Sequence, residues 1–233
     1  MGFSIKEFLV NRFLNFLYPP LCLHCKTLLS RRNGLFCSTC LELIALIEPQ
    51  GRCRCCFAEL NQGRCKRCMK RSVVIQHQIA ACEEFGPMHT LLQGVLNAKR
   101  EAIPAAASLM AYQWLALKMS LPDLLVPLPG SFWQRQRFGF DPYEMLALEL
   151  GKILSVPVHR LLKQKFDRER FLTQGEFRHR ILLKAKHNTL VCDRKVLIVA
   201  PLLDDVQFRS IGKEFKTYFP AQIDALAFAV FVQ

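Results

Sequence analysis

Eight of the eleven cysteines stand in four C-x-x-C pairs within the first 68 residues: Cys22/Cys25, Cys37/Cys40, Cys53/Cys56 and Cys65/Cys68. A turn with this spacing presents both sulfurs to one tetrahedral ion, and two such turns complete a four-sulfur shell. One pair alone can serve as a redox motif. Four in succession, with 11 residues between the first two pairs and 8 between the last two, point to two zinc sites. Sequential pairing (first with second, third with fourth) is expected over a crossed arrangement. Cys55 stands beside Cys56, but the three-residue advance from Cys53 favours Cys56 as ligand. Four protein ligands leave no open coordination position, so both ions are expected to be structural. A stretch this short cannot hold itself by apolar burial, and each site would owe its fold to metal.

The remaining cysteines, Cys55, Cys82 and Cys192, are too few and scattered for a disulfide framework, which suits a reducing cytoplasm. The formal net charge is +13 with cysteines counted neutral. Eight thiolates and two Zn²⁺ bring that to roughly +9, so polyanions are plausible partners. The first 20 residues carry Lys6 and Arg12 inside an apolar stretch and do not read as a secretory signal. Phe3, Leu9, Phe13, Phe16 and Leu17 instead suggest an amphipathic helix over residues 1–20, ending at Pro19 and Pro20. It would lie on the protein's own surface or, alternatively, on a membrane surface. No run approaches the ~18 apolar residues of a membrane span.

Composition shifts near residue 72, which divides a Cys-rich module (21–71) from an α/β domain (72–233). Apolar runs at 73–81, 124–128, 196–203 and 225–232 read as strands, and LELIALI (41–47) as a short helix or strand joining the two metal sites. Helical spacing appears over 87–96, 105–119 and 142–154, the last with Asp141 as N-cap and Pro142 at the first position. Phe208, Ile211, Phe215 and Phe219 mark a further helix. Strands alternating with helices, and apolar throughout rather than every second residue, predict a mostly parallel sheet covered on both faces. Residues 160–186 hold nine Lys or Arg against three acids and read as a solvated basic loop or a phosphate-binding segment. Phe132 and Trp133 are expected to pack a loop onto the sheet; the other reading, with Arg135 and Arg137 beside them, is stacking on a single strand. His24, inside a C-x-x-C turn, is expected to face solvent, and His77 has no ligand spacing.

The order of these parts resembles the ComF family of competence-associated, phosphoribosyltransferase-like proteins with an N-terminal double zinc ribbon. The likeness covers nearly the whole chain. It rests on FLYPPLCLHC (16–25), on LLVPLPGSFWQRQRFGFDP (124–142), which is similar to the family's V-P-V-P-L strand and R-x-R-G-F-N-Q segment, and on the Arg-rich stretch 160–188. VLIVAPLLDDVQFRSIG (196–212) stands where the family carries V-L-L-V-D-D-V-x-T-T-G-x-T. The resemblance implies a phosphoribosyltransferase-type sheet with flanking helices and a part in bringing DNA into the cell, through single-stranded DNA or a helicase-type motor protein. It also implies an alternative, an active Mg²⁺-dependent enzyme of amidophosphoribosyltransferase type. There Asp204 and Asp205 would face the ribose of phosphoribosyl diphosphate, and Arg135, Arg137, Arg168, Arg170, Arg178 and Arg180 would hold its phosphates or those of a nucleic acid.

Three segments depart from the family pattern. Aligned on Asp204 and Asp205, the phosphate loop reads Phe208-Arg209-Ser210-Ile211-Gly212, without the Thr-Thr-Gly whose N–H groups and hydroxyls would cradle phosphate. In a second, favoured register, aligned on the terminal strand, Val199 and Ala200 take the acidic positions and Asp204 caps the following helix. R-G-F-N-Q has become Phe138-Gly139-Phe140-Asp141-Pro142, and an expected L-K-aromatic reads Leu96-Asn97-Ala98. The resemblance thus implies a reduced or lost catalytic capacity.

Overall fold

The computed structural model describes residues 19–29, 34–60, 63, 65–69, 74–166, 179–183 and 190–230. The elements run α1 Ser38–Glu42, α2 Lys66–Met69, β1 His77–Glu83, α3 Gly86–Leu96, α4 Ala102–Ala116, β2 Leu124–Pro127, α5 Phe132–Phe138, α6 Pro142–Leu154, β3 Leu162–Phe166, β4 His179–Leu183, β5 Lys195–Leu202, α7 Asp205–Lys216 and β6 Gln222–Val230. Residues 1–18 of the expected N-terminal helix, and Arg168, Arg170 and Arg178, lie outside the described residues.

Four strands form one parallel sheet in the order β1-β6-β5-β2. Val196 stands opposite both Leu124 and Ile223, and His77 opposite Asp224. Every residue from Ile223 to Ala229 is buried, as a strand covered on both faces requires. The chain crosses the sheet from β1 to β2 through α3 and α4, and returns from β5 to β6 through α7. Right-handed crossovers in opposite directions put α4 and α7 on opposite faces. On one face α4 packs on α6, β1 and β6, while α6 covers β2 and β5; on the other α7 lies against β6 and β4. A Cβ at Gly94 would sit 2.7 Å from the Ala102 Cβ, so the missing side chain allows α3 to approach α4 closely.

The strongly patterned elements fall where the sequence predicts them. Helix α6 begins at Pro142 with Asp141 as N-cap, whose Oδ1 accepts from Tyr143 N at 3.0 Å. Other expectations are corrected. Strand β1 starts only at His77, the first residue paired with β6, opposite Asp224. Helix α7 ends at Lys216, and Phe219 lies beyond it, 77% exposed, because Pro220 cannot continue a helix. The segment 41–47 splits: α1 ends at Glu42, and Leu46 forms an antiparallel bridge to Cys82 at the sheet edge. The basic stretch 160–186 is not simply a loop, since its two ends pair as antiparallel β3 and β4, Leu162 opposite Leu183 and Phe166 opposite His179.

Candidate metal centres and the carboxyl edge of the sheet

The two Cys-rich units repeat one backbone design. In each, the residue after the first C-x-x-C is left-handed, Lys26 at φ 64° and Phe57 at φ 59°. The first cysteine's N–H donates five residues onward, Cys22 to Thr27 O and Cys53 to Ala58 O, both at 2.8 Å. Its carbonyl accepts from Lys26 N or Phe57 N, at 3.1 and 2.8 Å. The second pair opens a short helix, with Leu41 N donating to Cys37 O and Met69 N to Cys65 O, at 2.9 and 3.0 Å.

These loops gather Cys22, Cys25, Cys37 and Cys40 into one cluster and Cys53, Cys56, Cys65 and Cys68 into another, each with all sulfurs within 4.8 Å of one another. Pairing is therefore sequential, with Cys56 and not Cys55 in the second set. Sulfur separations are 3.5 Å for Cys25–Cys37, 3.5 Å for Cys56–Cys65 and 3.7 Å for Cys53–Cys68. A tetrahedron with metal–sulfur bonds of ~2.3 Å has edges of about 3.8 Å, so both donor sets fit a structural Zn²⁺. Burial pushes the Cys40 thiol up to about 12 and the Cys56 thiol up to about 11. The Thr27 hydroxyl, 3.2 Å from the Cys25 sulfur, brings that thiol down to about 6. Four thiolates at such spacing would repel one another, and a cation at the centre of each set would offset that repulsion.

The module is joined to the sheet by a seam of polar contacts. Ile47 N donates to Ala81 O at 3.0 Å, and the buried Gln113 Nε2 on α4 donates to Ile47 O at 2.6 Å. Arg52 Nη2 reaches Glu83 at the end of β1, 2.5 Å away, and Glu59 at 3.3 Å. His24 does not face solvent as expected: its Nδ1 lies 2.9 Å from Thr90 Oγ1 on α3.

At the opposite corner, past β2, helix α5 buries none of its residues. It is nonetheless well defined at both ends. Ser131 and Gln134 form a reciprocal capping box, both bonds 3.1 Å, and Gly139 at φ 74° closes the helix. The expectation that Phe132 and Trp133 pack a loop onto the sheet is thus overturned. Phe132 is 54% and Trp133 78% exposed, with their rings edge to face at 5.8 Å. Arg137 lies over the Phe138 ring at 5.4 Å, and Arg135 is exposed. Single exposed apolar residues are ordinary. Two adjacent exposed aromatics thus stand just before two arginines on a helix that buries none of its residues.

Between α5, α6 and β3 opens a cavity of about 370 Å³, lined among others by Arg135, Phe140, Glu144, Met145, Leu148 and Arg160. Glu144 pairs with Arg160. Asp141, which sequence reasoning placed only as a cap, also accepts from Gly130 N at 2.9 Å through its second oxygen, and a Cβ on Gly130 would come within 2.5 Å of Asp141. Glu144 was not singled out by the sequence, and a lone acid in the first turn of a helix carries no motif that would find it.

At the end of β5, Asp204 is exposed and caps α7, its Oδ1 accepting from Gln207 N at 3.2 Å. Only Leu203 and Asp204 connect β5 to α7, which begins at Asp205. Residues 208–212, where a phosphate loop would fall in the first register, lie inside α7, and Phe208 and Ile211 are fully buried. Their N–H groups are committed to the helix. Arg180 falls in β4. At the amino end of the sheet, His77 Nδ1 lies 3.0 Å from the buried Asp224 Oδ1, and burial raises the Asp224 carboxyl above its ordinary range. No helix among the described residues is long and apolar enough to cross a membrane.

No family model matches the chain. No curated protein matches it. Among solved structures, the chain is similar to the glutamine phosphoribosylpyrophosphate amidotransferase of B. subtilis complexed with ADP and GMP, at 12% identity over 57% of this chain with a TM-score of 0.37, and spans 30% of that protein. It is similar to the hypoxanthine-guanine phosphoribosyl transferase of L. donovani, at 20% identity, over 59% of this chain and 70% of that one, with a TM-score of 0.32. For a hypoxanthine phosphoribosyl transferase of Trypanosoma cruzi the figures are 18%, 60%, 75% and 0.35.

Proposed function

We propose that this chain is a cytoplasmic DNA-uptake protein of ComF type that binds single-stranded DNA, on a phosphoribosyltransferase-type body whose catalytic capacity is reduced or lost. The observation that carries this reading is α5, a capped helix with no buried residue that exposes Phe132, Trp133, Arg135 and Arg137. Bases stack on aromatic rings whatever their identity, while guanidinium groups meet the phosphates. The chain's charge of +13 favours the encounter with a polyanion.

The test is fluorescence anisotropy of a labelled single strand at several salt concentrations. Affinity should fall steeply with salt, because bound phosphates release counterions. Trp133→Ala should weaken binding roughly ten- to a hundredfold, the worth of one stacked base. Arg135→Ala should lower the salt slope by about 0.7. Absence of binding, or affinity indifferent to salt, would overturn the reading. Stable co-purification with a helicase-type motor and no strand binding would move the function to that protein partner.

The second reading, an Mg²⁺-dependent phosphoribosyltransferase, is favoured by the adjacent acids Asp204 and Asp205 at the carboxyl end of β5. It predicts Mg²⁺-dependent binding of phosphoribosyl diphosphate that is lost on Asp204→Ala. Undetectable binding by calorimetry at millimolar ligand rejects it.

A further inference from the structure

The cavity beside α5 joins an apolar wall to one acidic acceptor. Phe140, Met145, Leu148 and Leu162 supply the apolar surface. Asp141 cannot serve a ligand, since its two oxygens accept from Gly130 N and Tyr143 N. Glu144 is different. Its side chain is 14% exposed, lines the cavity, and meets Arg160 through one oxygen. A carboxylate has more acceptor sites than one ion pair fills, so a donor entering the cavity can bond to it. The matching ligand has an apolar or aromatic body and an N–H donor at its edge.

Small-ligand clefts begin at about 300 Å³, so this cavity suits one flat ring system rather than a stack. Arg135 stands on its wall, exposed, and its guanidinium has no partner among the described residues. Trp133, two residues away on α5, is 78% exposed. A strand crossing α5 would therefore pass directly over the opening, with a cation in place for the phosphate beside it.

We propose that this cavity receives one unstacked nucleobase of the single strand, with the Glu144 carboxylate accepting a hydrogen bond from the base's exocyclic amino group. The inference rests on the single-strand reading above and adds base selectivity to it. Cytosine, adenine and guanine carry such an amino group and thymine does not. A strand of thymines stacks on Trp133 but offers Glu144 only the ring N3–H, flanked by two carbonyl oxygens that repel the carboxylate.

The experiment compares labelled oligonucleotides of about twelve nucleotides, all cytosine or all thymine, at one salt concentration. The native protein should bind the cytosine strand about tenfold more tightly. Glu144→Leu, which removes the acceptor, should bring that ratio to about one. Leu148→Trp, which fills the cavity and leaves the carboxylate, should do the same. The ratio is the readout because loss of Glu144 also frees Arg160 to raise affinity for every strand. Equal binding of the two strands by the native protein, or a ratio kept in both variants, overturns the cavity assignment alone and leaves strand binding on α5 intact. Failure of both strands to bind brings down the two readings together.

Discussion

The Cys-rich module and the sheet that follows it reach order by different physics. In the module, the cysteines Cys22, Cys40, Cys53 and Cys56 are among the few buried residues, and apolar side chains such as Leu21, Leu28, Leu41 and Leu43 remain exposed. Its loops are held by backbone bonds around sulfur clusters. In the body, Trp114, Phe208, Phe215 and Phe228 are fully buried between helices and strands. The first has the donor sets to draw its folding energy from metal, and the second draws it from apolar burial. One chain uses both, and the seam at Ile47, Arg52 and Gln113 decides how far a failure in one spreads to the other.

The largest effect should come from a ligand. Cys40→Ser removes a buried thiol from the first cluster and forfeits metal binding free energy on the order of 10 kcal/mol. Elemental analysis should fall from two zincs per chain to one, while far-UV dichroism keeps the signal of the sheet and helices. Collapse of the whole spectrum would break the comparison and show that the seam ties both regions into one folding unit.

Phe228→Ala probes the other side. It should lower the unfolding free energy by about 3–5 kcal/mol, measured by urea titration, with the zinc content unchanged. Loss of zinc from this variant would mean that the module cannot stand without the sheet.

Gln113→Ala sharpens the seam itself. It leaves Ile47 O without its side-chain donor and should cost about 1–3 kcal/mol. The discriminating readout is the rate of zinc release to a chelator, which should rise if the seam steadies the module and stay fixed if it does not.

The smallest effect concerns pH and belongs to the body alone. Burial raises the Asp224 carboxyl above its ordinary 3.8 despite the nearby His77 and Gln222. The folded state therefore holds this proton more tightly than the unfolded chain. The stability it contributes is full below the ordinary value and is lost as pH rises through the raised one. Asp224→Asn has nothing to titrate, so the native protein should lose stability relative to the variant as pH rises across that window. A constant difference in urea midpoints would show that the hydrogen bonds from His77 and Gln222 cancel the cost of burial.

Some of this was legible in the residues. The C-x-x-C spacing marked the eight sulfurs, because a four-residue turn brings two of them to one ion, and favoured sequential pairing, which the fold then showed. Uniformly apolar runs marked β2, β5 and β6, and Asp141-Pro142 marked the start of α6, since capping and proline geometry are local. Helix α5 was not legible. Its sequence FWQRQRF reads as core-seeking, yet among the described residues nothing covers its rings. The β3–β4 pairing was hidden for a similar reason: its basic residues look solvated, and backbone bonds between distant segments leave little trace in composition.

Sequence alone determined which eight cysteines are able to hold metal, that a parallel sheet forms and where helix α6 begins, because each depends on spacing within a few residues. Tertiary structure decided the rest. It placed Arg135, Glu144 and Arg160 around one cavity, docked the second cluster's Arg52 on Glu83 at the end of β1, and put residues 208–212 inside a helix. These are meetings between segments far apart in the chain, and only the packing of helices on the sheet brings them within reach.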